Sequence, residues 1–592
     1  MPNINKYSRS IDLIMIVLLA FSACFYLIKI LARFPIWEVK PYAVILIISV
    51  LVFLAFAVYY VFKRDRKIPP VLCFFLLFLI YILRVPNDIF STYLWAEDGC
   101  YLIQDAVFSG PLSVFNVTNG THWLVPRAIS LICYWICCLF GNLTFLPALQ
   151  GIFCKLIATG CIALFLSERF DWIIKERVFR FVVCACVIFA IPYYAIDVAA
   201  CDTSLPFAMN FAVFLIGFDT LCGNNAKPIS LSDTILLSVI ALSNAASPFP
   251  AAVAVFAFAR WLCAEIKGKR MCVKTTVIES VKVIVVLAFA LVQFWGIVAS
   301  SRSHVELRII ERIGFCFTHF VFQPYYYSYL DLIVFFFAFA GWMALIVLAR
   351  LPWRSVVFIS AYSFAFLLYC TLVADFDEME YVIFREADGG ARYILLPYMI
   401  AAFLLALEIC VLLKKDKVRR IIGLVLSAIV IVVSTLTYPM ELVGYEYSDA
   451  YRDNIGVFDP AGKQSLCIPI GPWTPWDMQI PWNINRYSEM DSEDLSCSVS
   501  IEREDAFYGS RADELIYLVP VEVLVGDADG SLFRYVFIDA GDDMYLAPAQ
   551  VSADQEDGKT LFLYYVNYDC TCTDTMRFIG ITEDDQICVW EI

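Results

Sequence analysis

Val283-Ile284-Val285-Val286-Leu287-Ala288-Phe289-Ala290-Leu291-Val292 is a run of ten residues without one polar side chain. It lies inside a mostly apolar segment, 276–300, and a helix needs about 20 such residues to cross a bilayer. Working outward, comparable segments occur at 11–33, 41–62, 71–84, 146–167, 178–199, 205–222, 230–246, 250–265, 329–349, 355–375, 393–413 and 421–439. Together these predict a polytopic α-helical membrane protein with about thirteen transmembrane helices. The whole chain agrees: 61% of its 592 residues are apolar and 17% are charged, against about 45–50% and 25% in soluble domains. The first run follows Lys6 and Arg9 but is too long for the apolar core of a signal peptide, so it reads as an uncleaved span.

Charge divides the chain in two. The net charge is −14, yet residues 444–592 hold 29 acids against 8 bases, leaving residues 1–443 with a net +7. No basic patch suits a nucleic acid. Basic clusters mark the cytoplasmic side of a membrane protein. Lys63 to Lys67, Arg169/Lys175/Arg177/Arg180, Lys267/Lys269/Arg270/Lys274, Arg350/Arg354 and Lys414 to Arg420 fall on one side if the apolar segment 127–140 does not cross. That segment is then expected as an outer juxtamembrane helix. The N-terminus is cytoplasmic, and the loops 85–126, 301–328 and 376–392 face outward. The protein is expected in the cell membrane, as a transmembrane body, 1–443, followed by an acidic extracytoplasmic all-β domain, 444–592.

Within that tail, Leu515 to Val519, Tyr535 to Ile538 and Leu561 to Val566 are β-branched and aromatic, separated by Gly, Asp and Asn. Short strands at this spacing predict a small β-sandwich or barrel. Of 22 cysteines, 17 lie in the apolar body and read as small core- or lipid-facing side chains. The five in the tail, Cys467, Cys497, Cys570, Cys572 and Cys588, lead us to expect one or two disulfides. With three histidines in 592 residues, a His-built metal centre is not expected. A divalent ion is compatible with the chemistry below, but nothing in the sequence requires one.

Trp95-Ala96-Glu97-Asp98-Gly99, early in the first outer loop, is the main candidate for chemistry. Adjacent carboxylates supply a general base, one raised in pKa by the other; a solvated acidic turn is the competing reading. Downstream, His122-Trp123-Leu124-Val125-Pro126-Arg127 places Pro126 at the start of the juxtamembrane helix. Taken alone, this stretch reads better as an interfacial Trp with a snorkelling Arg. Ser247-Pro248 forms a helix–helix corner, and Gly390-Ala391-Arg392-Tyr393 opens the twelfth span. A cation at a helix start opposes the helix dipole, which makes sense if Arg392 holds an anion. Arg302, Arg308 and Arg312 add guanidinium groups on the same side, where phosphate, lipid headgroups or Glu306 and Glu311 are alternative partners.

These motifs together resemble the GT-C superfamily of integral-membrane glycosyltransferases, most closely the bacterial O-antigen glucosyltransferase type, over roughly residues 85–400. The resemblance implies a catalytic base at Asp98 or Glu97, with Asp98 favoured. It also implies a polyprenyl-phosphate sugar donor whose phosphate meets Arg392, Arg312 and Arg308. Trp95, His122, Trp123, Arg127 and Tyr393 would bind substrate. Asn119-Gly120-Thr121 departs from the aromatic-Gly-Tyr stretch that relatives often carry there. The acceptor would be an envelope glycan or glycolipid. Two other functions fit the same sequence: a transporter or flippase of lipid-linked glycans, and a non-catalytic glycan-binding envelope protein. Nucleotide chemistry is poorly supported, because no strand is followed by a Gly-rich phosphate loop.

Overall fold

The computed structural model describes residues 69–84, 94, 98–299 except 119, 190–203, 225, 245 and 270, then 343–373, 391–436, and most of 451–591. In the last stretch, 452, 471–475, 490–495, 502, 512–513, 527–532, 540–543, 549, 555–558, 568–575 and 583 are excepted. The spans expected at 11–33 and 41–62, and most of 329–349, lie outside the described residues.

The described body is helical: α1 (Pro70–Arg84), α2 (Gln104–Ser109), α3 (Leu124–Phe140), α4 (Leu146–Ala163), α5 (Arg177–Phe189), α6 (Leu205–Cys222), α7 (Leu231–Ala241), α8 (Pro248–Gly268), α9 (Val273–Ala299), α10 (Trp353–Val373), α11 (Ala391–Leu412) and α12 (Lys417–Leu436). Among the described residues, six segments are long and apolar enough to cross a membrane: Leu146–Leu166, Leu205–Cys222, Pro248–Gly268, Val273–Ala299, Trp353–Cys370 and Leu395–Leu412. Local sequence sets their limits. Proline occupies the first turn of α4, α6 and α8, where its missing N–H costs nothing. Ser230 and Asp233 cap α7 reciprocally, the Asp233 N–H donating to Ser230 Oγ at 3.0 Å. Gly141, at φ 64°, ends α3 in a left-handed turn, with Gly141 and Asn142 N–H donating to the carbonyls of Cys138 and Cys137.

Helix α6 runs through the middle of the bundle. Phe211, Phe214 and Phe218 are fully buried, and their rings meet Phe403 of α11 at 5.5–5.9 Å between centroids. Helix α9 is peripheral, with Leu291, Trp295 and Val298 exposed.

Polar contacts sort the two ends of this bundle. At one end Arg169 binds Asp219 and Asp233, both at 2.8 Å. Arg180 pairs there with Asp171, Lys414 with Glu176, and Cys222 Sγ reaches the Arg354 carbonyl. Members of three of the basic clusters thus gather at this end. The opposite end carries residues 98–127, the 242–247 corner and the C-terminal β region.

That region forms two sheets. A seven-stranded sheet has the order β4-β3-β10-β9-β13-β14-β5, and a five-stranded sheet has β11-β12-β8-β6 with β7 also on β8. The strands are β3 (Gln464–Ile470), β4 (Trp476–Trp482), β5 (Ser488–Glu489), β6 (Ser496–Ile501), β7 (Phe507–Arg511), β8 (Glu514–Gly526), β9 (Phe533–Asp539), β10 (Met544–Leu546), β11 (Gln550–Asp554), β12 (Lys559–Asn567), β13 (Arg577–Thr582) and β14 (Gln586–Glu591). Most pairs are antiparallel; β3–β10 and β5–β14 are parallel. Val536, Ile538 and Phe578 of the larger sheet pack on Val521, Val523, Phe562 and Tyr564 of the smaller. A sandwich core results.

The alternate residues of the larger sheet are apolar as well. Leu466, Ile468, Ile470, Tyr535, Phe537, Ile579 and Ile581 pack toward Leu94, Ile103, Cys137, Leu143 and Leu146 of the helical body. Side chains alternate across a strand, so this sheet is a middle layer, covered by the second sheet on one face and by the body on the other. Tyr451 Oη donates to the Leu143 carbonyl at 2.9 Å, and the Gln479 N–H on edge strand β4 donates to Gln104 Oε1 at 2.8 Å. A fragment starting at Tyr451 would expose that second apolar face. We expect it to self-associate and bind a hydrophobic dye strongly; a monomeric, dye-silent fragment on size exclusion would contradict this packing.

The disulfide expectation is testable at two of the five tail cysteines. Cys467 and Cys588 are both buried. They sit on β3 and β14, four strand spacings apart, or about 19 Å, so they cannot bridge each other. Cys570 and Cys572, and the side chain of Cys497, lie outside the described residues.

Candidate functional site

The loop between α1 and α3 enters the described residues as a π-helical turn, Asp98–Ile103, followed by α2. Single π-helical turns are frequent at functional sites. Asp98 occupies the first position and is 3% exposed. Its neighbour Gly99 lies against β-region side chains: a Cβ there would stand 2.3 Å from Ile470 Cδ1 and 3.6 Å from Met478 Cβ. The turn that Asp98 opens is therefore roofed at Gly99 by strands β3 and β4, and glycine is what admits the close approach.

Next the chain makes a 3-10 turn, Gly110–Phe115, and a two-stranded hairpin, β1 (Val117–Thr118) with β2 (Thr121–His122). Arg127, fully buried on α3, holds this loop from within. Its guanidinium pairs with Asp105 and donates to the Ser113 carbonyl at 3.3 Å and to Thr118 Oγ1. Nε finds no partner among the described residues. A guanidinium suits this task because one rigid fork reaches three acceptors on three segments.

Helix α9 holds the hairpin from the other side. Gln293, fully buried, accepts the His122 N–H at 3.0 Å and donates to the His122 carbonyl at 3.2 Å. Gly296 lets α9 approach the turn, since a Cβ there would lie 2.3 Å from the Gly120 carbonyl oxygen. The 242–247 corner completes the frame. Leu124 N–H donates to the Leu242 carbonyl and Val125 N–H to Ser243 Oγ. Asn244 Nδ2 reaches the Pro206 carbonyl, and Ser247 Oγ the Ala290 carbonyl. Trp123 Nε1 is buried without a hydrogen-bond partner among the described residues.

Burial, and then the Arg127 guanidinium, lower the pKa of His122 from its ordinary 6.5. Between the lowered value and 6.5 the unfolded chain binds more protons than the folded one, so stability is lost as pH falls through that window. With three histidines in the chain, 13C-labelled imidazole NMR resolves this. The signal missing from His122→Gln should titrate below a free imidazole; titration at or above it would contradict the environment described.

The structure thus brings Asp98, His122, Trp123, Arg127 and Ser247 to one end of the bundle. Trp95, Glu97, Arg302, Arg308 and Arg312 lie outside the described residues. Arg392 and Tyr393 fall in the first turn of α11, with side chains outside the described set. Gln293, Asp105 and Gln104 escaped the sequence reading. Gln293 was the most detectable, as a lone amide interrupting an apolar run that otherwise continues to Ala299. Among the described residues, no group of three His, Cys, Asp or Glu side chains is placed to hold a metal ion. Comparison with known proteins finds no matching family model, no matching curated protein and no matching solved structure.

Proposed function

We propose that this chain is an integral-membrane glycosyltransferase that moves a sugar from a polyprenyl-phosphate donor to a cell-envelope glycan or glycolipid. In this reading it has about thirteen spans, a cytoplasmic N-terminus and an extracytoplasmic β domain. The observation that carries the proposal is the gathering of a buried acid, Asp98, with His122, Trp123 and the Ser247–Pro248 corner at one end of an apolar bundle. The acceptor hydroxyl oxygen attacks the anomeric carbon and its proton passes to the Asp98 carboxylate. The bond from that carbon to the phosphate oxygen breaks, and the electron pair leaves with the polyprenyl phosphate. In-line displacement inverts the anomeric centre. Guanidinium groups at Arg392, Arg308 and Arg312 would stabilise the charge growing on the leaving phosphate. Arg127 acts on the loop, because its terminal nitrogens are taken by Asp105, Ser113 and Thr118.

The test is transfer of radiolabelled sugar from polyprenyl-phosphate donors in proteoliposomes of the full chain, with envelope glycan extract as acceptor. New glycosidic product supports the reading. Movement of the intact donor across the bilayer without a new glycoside would replace it with transport.

A further inference from the structure

The segment between Asp105 and the hairpin is amphipathic in the sense opposite to a water-exposed loop. Three of its polar groups turn inward: the Asp105 carboxylate, the Ser113 carbonyl and Thr118 Oγ1 converge on buried Arg127. Its apolar side chains point outward, Phe108 54%, Leu112 71%, Phe115 69% and Val117 51% exposed. Residues 106–118 contain no Lys, Arg, Asp or Glu. A loop facing water would expose the carboxylate and bury the phenylalanines, because exposed apolar patches mark interaction surfaces.

The strip also continues from a surface already suited to lipid. The hairpin turn rests on α9 at Gly296, beside the exposed Leu291, Trp295 and Val298 of a 27-residue helix able to cross a membrane. We propose that Phe108, Leu112, Phe115 and Val117 form a lipid-seating surface. It sinks into the headgroup–acyl boundary of the leaflet at this end of the bundle and fixes the loop at that depth. Interfacial binding of this kind scales with the apolar area buried. Nothing in the proposal requires sugar transfer; it stands or falls on where the strip sits.

The test places the photocrosslinker p-benzoyl-phenylalanine at one position at a time in the full-length protein, in nanodiscs of 32P-labelled phosphatidylethanolamine and phosphatidylglycerol. Leu112 and Phe115 are the test positions, Trp295 on α9 is the lipid-facing reference, and exposed Asp584, in the turn before β14, is the reference for water. Phospholipid adducts at 112 and 115 comparable to 295, and at least about tenfold above 584, are expected. Adducts at 112 and 115 no stronger than at 584 would overturn the proposal. So would crosslinking there to a second copy of the chain or to another protein.

Discussion

Asp98→Asn is expected to lower sugar transfer by about 10²- to 10⁴-fold, the range for losing a positioned general base. The substitution keeps side-chain shape and removes only the ability to take a proton. Asp98 opens a turn packed under Ile470 and Met478, so a larger replacement would disturb the β domain and confuse the two effects. Glu97→Gln, made separately, should leave most of the activity if Asp98 is the base. A thermal melt matching the parent protein must accompany each assay. Unchanged transfer in both variants would remove this acidic pair from the chemistry and the proposed mechanism with it.

The largest structural effect is expected from Asp105→Leu. Arg127 is fully buried, while the Asp105 side chain keeps 32% of its exposure. Removing the carboxylate leaves a cation without its counter-ion in a dry site, which costs about 3–5 kcal/mol. Arg127→Met leaves the half-wet carboxylate to water but also loses the bonds to Ser113 and Thr118, each worth about 1 kcal/mol. The double variant Arg127→Met/Asp105→Leu should recover a large part of the loss, because no charge is then stranded. Thermal unfolding in detergent, followed for the parent, both singles and the double, reads this ordering. An Asp105→Leu protein that melts with the parent would show that the pair does not hold the loop.

The β region illustrates the limit of pattern reading. The tail segments show β character in their Val, Ile and aromatic content, and strands do form at Glu514–Gly526, Phe533–Asp539 and Lys559–Asn567. Strand identity is local. The pairing of β3 with β10, 79 residues away in register (Met544 with Ser465) and parallel, is not. In β9, Tyr535 and Phe537 read just like Val536 and Ile538, yet one pair faces the helical body and the other the second sheet.

The helices behaved differently. The segment 205–222 coincides with Leu205–Cys222, and 276–300 with Val273–Ala299, because length and apolarity are properties of the chain itself. By itself, the sequence determined that this protein has membrane-length apolar helices followed by a β-rich region. It also placed Asp98, His122 and Trp123 in one loop, with Arg127 at the start of the helix that follows it. Only the tertiary structure decided that Arg127 turns inward to Asp105, that Gln293, 171 positions away, clasps His122, and that strands β3 and β4 roof the turn that Asp98 opens, at Gly99. Those contacts join distant segments, and a hydrogen bond or an ion pair depends on where folding brings its two ends, which neither end's neighbours in sequence encode.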